Sequence, residues 1–482
     1  MRYLKSHELP TLTVFMTYKT KYPYDDSLHY EKFADGSVKC IEDEIPFELP
    51  EGWAWVRLGS IAGMALGKML DGVKNKGSLR PYLRNINVRW GTFELSDVLE
   101  MRFEDNELER YSIRHGDLVI CEGGEPGRCA VWKSEEVVFY QKALHRVRAI
   151  EVLPEYLYYV IRHFIISNQY EKYYTGTTIK HLTGQSLQIL PIPLPPLSEQ
   201  KSIVKLLQRI IEEVDEIETE KSEVLSLVSL AKTKILDLAI RGQLVPQDPA
   251  DEPASVLLEH IRTEKEELIR QGKIKRDKKE SVIFRGEDNS YYLRTGELVE
   301  SLEDWAFEDL PDSWSICCLG ELCDYGNCTN VDTADIADSA WMLDLEDIEK
   351  DSGVVLQKIR KAERSAASTK HHFHKGQVLY SKLRPYLNKV VLADEDGYCT
   401  SEILPLEFER NILPQYARYY LMSPVFLRYA NKCSYGVKMP RLGTADGKKA
   451  IISVPPLEEQ RRIILAIELA FAQLASIAEN LS

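Results

Sequence analysis

The chain is written twice, and that repeat constrains its fold more than any single motif. LPEGWAWVRLGS at 49–60 returns as LPDSWSICCLGE at 310–321. Leu83 in YLRNI returns as Leu343 in MLDLE. HGDLVICEG around Gly116 returns as KGQVLYSKL around Gly376. LPEYLYYVI at 153–161 returns as LPQYARYYL at 413–421, and YTGTTIKHL around Gly176 returns as SYGVKMPRL around Gly436. PLPPLSEQKSIV finally returns as SVPPLEEQRRII. The period is about 260 residues and the register holds to within a residue, so the pattern is a tandem duplication. Each body, 45–195 and 305–455, mixes short β-branched runs (117–121, 136–140, 377–380, 390–392) with helical stretches such as 153–167, where Pro154 suits a first helical turn. The expected class is α+β, two similar globular bodies in tandem.

What separates the bodies is one long helix. In 198–241 the apolar residues Ile203, Leu207, Ile210, Val214 and Ile217, then Val224, Val228, Ala231, Ile235 and Leu238, recur at steps of four and three, broken once at Lys221. That rhythm marks a helix paired along its length. Pro195 and Pro196 block helix upstream and Gly242 stops it. At 1.5 Å per residue the rod would span roughly 65 Å. After the second body the rhythm resumes in Ile463, Ile467, Ala470, Leu474, Ile477 and Leu481, over a shorter helix. The expected arrangement pairs the two antiparallel. The expected division is therefore 1–44 as an N-terminal extension, partly repeat tail; 45–195; a central segment 196–304 of long helix, Pro-rich turn, second helix (255–271) and linker; 305–455; and a terminal helix 456–482. KIKRDKKE at 273–280 reads as a solvated linker.

Composition narrows the class. The chain has 482 residues, which allows two or three domains. Nine cysteines, odd in number and irregularly spaced, point to a reducing cytosol. No uninterrupted apolar run is long enough for a bilayer, and the apolar patch at 12–16 lacks the h-region of a signal peptide. The net charge of −14 argues against nucleic acid, yet it is uneven. Basic clusters at 74–89, 146–148, 382–389 and 438–449 allow a basic face on an acidic chain.

No catalytic constellation stands out. There is no Walker A loop and no G-x-G-x-x-G. His371, His372 and His374 lack a nearby cysteine or carboxylate and read as a polar surface run. Cys317, Cys318, Cys323 and Cys328 lack a C-x-x-C pair; the repeat mates of the first three are Val56, Arg57 and Ala62, so they read as strand or core residues. The Pro-Pro pairs follow Leu194 and Val454, which cannot grip an adenine amino group as a methyltransferase motif must, so they read as helix entries. The loop at 123–128, GGEPGR, reads as a plain turn. No catalytic residue and no metal ligand is assigned.

Recognition remains. Arg, Lys, Asn, Gln and Thr on loops can reach phosphates and base edges. In the first body the candidates are Lys74, Lys76, Arg80, Arg84, Asn85, Asn87, Thr177, Thr178, Lys180 and His181; in the second, Lys382, Arg384, Tyr386, Asn388, Lys438 and Arg441. Any one alone is ordinarily a solvated surface residue. Their clustering near the shared Gly176 and Gly436, where Lys180 and His181 match Pro440 and Arg441, fits two readers of different sequence on one scaffold.

At this point the chain resembles the DNA specificity subunit of a type I restriction-modification enzyme. The resemblance is carried by LPEGWAWVRLGSIA, GDLVICEGGEPGRCAVW, PLPPLSEQKSIVKLL, the run from ILDLAIRGQLVPQDPADEP through EKEELIRQGKIKRDKK, and the second PPLEEQRRI, and covers roughly 25–482. It implies two target recognition domains, each reading half of a split site in double-stranded DNA, held apart by antiparallel coiled-coil helices. It implies no catalysis and no cofactor in this chain. Two modification subunits would methylate adenine with S-adenosylmethionine, restriction subunits would translocate and cut with ATP and magnesium, and the whole would act in a bacterial or archaeal cytoplasm, with no membrane partner. The sequence departs from the family at its ends: residues 1–24 match nothing placed, and the terminal helix is short. A non-catalytic protein-binding scaffold, two domains on a coiled-coil spacer, is the competing class. It predicts no salt-dependent affinity for DNA. A self-contained modification enzyme, a third class, lacks its motifs.

Overall fold

The structure is a computed structural model that describes residues 28–33, 35–273, 281–286, 290–302, 310–364 and 368–481. The N-terminal apolar patch and most of the basic linker, 274–280, lie outside the described residues. The chain divides into two compact units, the first ending at Ile217 and the second beginning at Glu218.

In the first unit a hairpin, Tyr30–Lys32 with Val38–Cys40, precedes the strand Ala54–Arg57, which pairs antiparallel with Pro191–Leu194 and so brings the two ends of the body together. The short helix α1 (Leu58–Ile61) leads into a four-stranded antiparallel sheet ordered Ala62–Leu66, Leu144–Ala149, Leu118–Cys121, Cys129–Val131. A second four-stranded sheet holds Leu99–Phe103, Ser78–Leu83, Val138–Tyr140 and Ser112–Ile113, its middle pair parallel. The strand Leu118–Cys121 explains the packing. All four residues are buried; Leu118 and Ile120 enter one apolar cluster, Val119 and Cys121 another. A two-residue side-chain period thus places one strand between two cores. Helix α2 (Pro154–Ile166) begins on Pro154 and buries Leu157, Ile161 and Phe164 in the first of them. Helix α3 (Gly184–Gln188), capped by the Thr183 hydroxyl, leads to the last strand, and α4 (Leu197–Ile240) begins after Pro195 and Pro196.

The second unit repeats this plan after α5 (Ala254–Arg270), which buries Ala254, Leu257, Leu258 and Ile261. Ser315–Cys318 pairs with Ile451–Val454 as Ala54–Arg57 pairs with Pro191–Leu194. Helix α6 (Leu319–Leu322) answers α1. Val378 and Tyr380 enter one cluster and Leu379 another, the alternation of their mates Leu118, Ile120 and Val119. The parallel pair recurs as Trp341–Leu343 with Gly397–Thr400. Helices α7 (Pro414–Met422), α8 (Pro424–Cys433) and α9 (Thr444–Lys449) precede the closing strand, and α10 (Leu457–Leu481) ends the chain. The three-stranded sheet Ser281–Arg285, Tyr291–Thr295, Leu298–Ser301 lies where a linker was expected. Its last two strands stand one repeat period after the hairpin Tyr30–Lys32 and Val38–Cys40, so the repeat starts earlier than the apolar pattern shows.

One latch recurs in both bodies. The Gln200 carboxamide accepts from Leu153 N–H at 3.0 Å and donates to Pro195 C=O at 3.0 Å. The Gln460 carboxamide accepts from Leu413 N–H at 2.8 Å and donates to Pro455 C=O at 3.2 Å. This is why a polar Gln is buried in each P-P-L-x-E-Q segment: it fastens a long helix to the helix of its own body.

The long seam is only half paired. Leu236, Ala239 and Ile240 of α4 share a core with Ile463 and Ile467 of α10, with Ile235 packed against it. The Lys232 ammonium lies 5.7 Å from the Phe471 ring, whereas Ile240 C=O meets the Ser453 hydroxyl at 2.7 Å, so the contact order is reversed and the pairing antiparallel. Val228 is buried and Val224 and Leu238 are half-buried. Farther toward the start of α4, Ile203 packs on the first body and Leu207 is half-buried, but Ile210 is 45 % exposed, Val214 48 % and Ile217 63 %. On α10, Leu474 is half-buried and Ile477 is exposed. The expectation of pairing along the whole seam is corrected at Ile210, Val214, Ile217 and Ile477. For the three on α4 the reason is length: α4 has 44 residues and α10 has 25, a difference of roughly 28 Å. By length and composition alone α10 is apolar enough to cross a membrane, although Glu468 interrupts its apolar run; its Ile463 and Ile467 are buried in a core cluster with α4.

Candidate nucleic-acid interface

In each body a loop joining two sheet strands meets a small hairpin. In the first, the loop 122–128 links Leu118–Cys121 to Cys129–Val131, and the hairpin closes by paired backbone bonds between Thr175 and His181. Leu182 N–H donates to Glu122 C=O at 2.7 Å, tying hairpin to loop. A Cβ on Gly123 would stand 2.8 Å from His181 Nδ1, so glycine is what lets the two segments touch. In the second body the loop 382–388 links Val378–Ser381 to Val390–Leu392, and the hairpin is Ser434–Tyr435 with Arg441–Leu442. Leu442 N–H donates to Lys382 C=O at 3.0 Å, one repeat period from its counterpart, and Arg384 N–H donates to Pro440 C=O at 2.7 Å. Gly176 and Gly436 turn the hairpins at φ +90° and +99°, a region that L side chains avoid.

The side chains on this scaffold differ. Glu125 is half exposed; its carboxylate accepts from Arg128 Nη1 at 2.6 Å and from Trp90 Nε1 at 2.8 Å, which fixes its direction. Asn85 donates to Gly123 C=O at 2.8 Å and Arg128 to Asn85 C=O at 2.9 Å. In the second body Arg384 and Asn388 are non-glycine residues at φ +50° and +49°. Such conformations cost energy and persist only where the surroundings hold them, here through Pro440 C=O and the Met422 C=O that Asn388 Nδ2 meets at 3.1 Å. Tyr386 and Arg384 are exposed and Lys382 is half-buried.

The structure brings Asn85, Thr177, Thr178, Lys180 and His181 to the first loop and hairpin, and Lys382, Arg384, Tyr386, Asn388, Lys438 and Arg441 to the second. Lys180 is exposed and pairs with Glu171 at 2.5 Å, while the Arg441 guanidinium meets both Glu402 oxygens at 2.9 to 3.1 Å. The remaining candidates stand apart. Lys74 and Lys76 are exposed on another loop, with Lys74 3.8 Å from Asp71. Arg80 lies 6.0 Å over the Phe139 ring, and Arg84 pairs with Asp97 at 2.7 Å. Asn87 is corrected outright. It is 1 % exposed, and its carboxamide accepts from Arg84 N–H and donates to Glu94 and Asp97 carbonyls, all at 2.9 Å, so it fixes a turn and reaches no ligand. The basic cluster at 146–148 also turns inward: Arg146 donates to Ser112 C=O at 2.8 Å and Arg148 to Asp117 at 2.7 Å. His371 is buried with Nδ1 2.8 Å from Ile403 C=O, not on the surface; His372 and His374 share the other face, their rings 4.4 Å apart. Cys317, Cys318 and Cys323 are buried, and burial pushes the Cys318 thiol up to about 12, far from a metal-binding thiolate. Among the described residues there is no cluster of metal-binding side chains. The segment 123–128, read from the sequence as a plain turn, lies against the hairpin, and its repeat mate KLRPYLN differs from it in charge.

The family described as "Type I restriction modification DNA specificity domain" matches residues 50–227 and 311–475. The chain is 22% identical over 447 residues to the type I restriction enzyme EcoDI specificity subunit of Escherichia coli, covering 90% of this chain and 85% of that one. It is 31% identical over 338 residues to the EcoAI specificity subunit of the same organism, covering 59% and 53%. Among solved structures it superposes on the HsdS subunit from Thermoanaerobacter tengcongensis with a TM-score of 0.51 at 19% identity, covering 91% and 94%. A chain from a study of complex assembly and conformational transition of the type I R-M system superposes with a TM-score of 0.58, also at 19% identity, covering 90% and 94%.

Proposed function

The chain belongs to the type I restriction modification DNA specificity domain family, and on that premise we propose that it is the DNA-reading subunit of a type I restriction-modification complex. Each body reads one half of a bipartite duplex site. The observation that carries this reading is the loop and hairpin found at the same place in both bodies with unlike side chains. A shared scaffold with different contact groups supports two half-sites of different sequence. The chain reads and does not cut or methylate. Its partners are two modification subunits, which supply adenine methylation with S-adenosylmethionine, and restriction subunits, which use ATP and magnesium. Helix α4 sets the spacing of the two halves. The compartment is the cytoplasm of a bacterial or archaeal cell.

Binding of fluorescent duplex by the chain assembled with its modification subunits, at two ionic strengths, tests the reading. Neutralising six to ten phosphates predicts a loss of about 10³ to 10⁵ in affinity between roughly 50 and 200 mM salt. Affinity for DNA that is absent, or indifferent to salt, contradicts it.

A further inference from the structure

Within each body the hairpin and the loop touch, but they differ in how they compare across the repeat. The hairpins share a turn and a positive charge, though not residue by residue, since Lys180 and Lys438 stand at unmatched positions. Both turn on a glycine, and both carry an aliphatic side chain at the matched position, Ile179 at 65 % exposure and Met439 at 43 %. Each also presents an exposed lysine, Lys180 or Lys438. The loops do not: 122–128 contains Glu122, Glu125 and Arg128, two acids and one base, whereas 382–388 contains Lys382 and Arg384 and no acid.

Both bodies must face the same polyanion, so an element that grips the backbone must be cationic in both. Of the two elements, the hairpins meet that condition and the loops do not. A carboxylate repels phosphate, but it can accept from an exocyclic amino group on a base edge, cytosine N4 above all. Glu125 suits that task. Trp90 and Arg128 hold its carboxylate in place, and a carboxylate still offers further lone pairs. Arg384 suits the opposite task, its guanidinium fork matching O6 and N7 of guanine. Its left-handed backbone is pinned to Pro440, which fixes the point on the loop from which the side chain extends.

Resting on the DNA-reading function proposed above, we infer that each body divides its labour. The hairpins 175–181 and 434–442 grip DNA without regard to sequence, and the loops select bases: Glu125 takes an amino-bearing base in one half-site, and Arg384 takes guanine in the other.

The test is adenine-methylome sequencing of cells carrying the complete chain with its modification subunits, wild type and variant. E125A is expected to make one position of one half-site degenerate and R384A one position of the other, each weakening discrimination there by roughly 5- to 150-fold. E125Q and R384K keep bulk and guard against misfolding. The glutamine variant should shift its position toward adenine, which a carboxamide pairs with at two points, and the lysine variant should discriminate less at its guanine. K180A and K438A should leave the motif unchanged and lower affinity for cognate and unrelated duplexes by the same factor. A motif that survives all four loop variants, or that changes in K180A or K438A, overturns the assignment alone. A wild-type complex that methylates no bipartite motif overturns the DNA-reading function beneath it.

Discussion

Arg57 shows how a single position differs between otherwise matched bodies. Its guanidinium donates to Glu31 at 2.7 Å and to Glu44 at 2.6 Å, with all three side chains largely buried. Burial alone would raise the Glu44 pKa, but the Arg57 and Lys39 hydrogen bonds outweigh it and bring the carboxyl from 4.5 down to about 2. A depressed folded-state pKa stabilises the fold above the unfolded value. The contribution is therefore full above about pH 4.5 and disappears as pH falls toward 2. R57A should take the guanidinium from two buried carboxylates, leaving Glu44 only Lys39 and Tyr173, and cost about 3–5 kcal/mol, measured by denaturant unfolding at neutral pH. The variant should also flatten the acid limb between those two values; an unaltered limb contradicts the triad. The repeat mate of Arg57 is Cys318, buried among apolar residues, so this ion cluster belongs to one body only. Q460A should cost about 1–3 kcal/mol, because it strands buried groups at Leu413 and Pro455; a stability change within error contradicts the latch. Residue type was legible in the sequence, direction was not. Asn87, Arg146 and Arg148 have the composition of ligand-binding residues, yet nearby carbonyls and carboxylates capture them. Sequence spacing alone does not show which way a strand-end side chain turns.

At the scale of elements, the helices were the most readable part of the chain, because Pro195, Pro196 and Gly242 bracket α4 and the four-three rhythm runs between them. The extent of pairing was not readable, since it depends on how far α10 reaches rather than on the apolar character of α4. The hairpin Tyr30–Lys32 with Val38–Cys40 was missed for another reason. Its strands are three residues each, too short for an alternating pattern to emerge, and only the repeat mate at Tyr291–Thr295 and Leu298–Ser301 reveals it. Function at this scale follows from helix length. Four residues inserted in the exposed stretch of α4 after Glu218 add about 6 Å, near two base pairs of about 3.4 Å each. The gap between half-sites should lengthen by one or two base pairs while both halves stay as they were. A gap of unchanged length in that variant's methylome contradicts the role of α4 as a spacer.

For the whole molecule, the net charge of −14 is compatible with DNA binding because the acid is unevenly placed: the loop 382–388 and the hairpin lysines are basic, while acid gathers along α4 and near 42–51. Duplication explains the rest. Two copies of one α+β body, each with its own core and its own loop and hairpin, supply two readers, and the unlike side chains on their loops give each its own half-site. The central claim is therefore that one chain reads two separate short sequences at a fixed interval. Mapping adenine methylation across the genome of a host that carries this chain with its modification subunits tests it most directly. The account predicts one motif of two short defined halves separated by a constant run of unspecified bases. A single undivided motif, or methylation that does not depend on this chain, would contradict it.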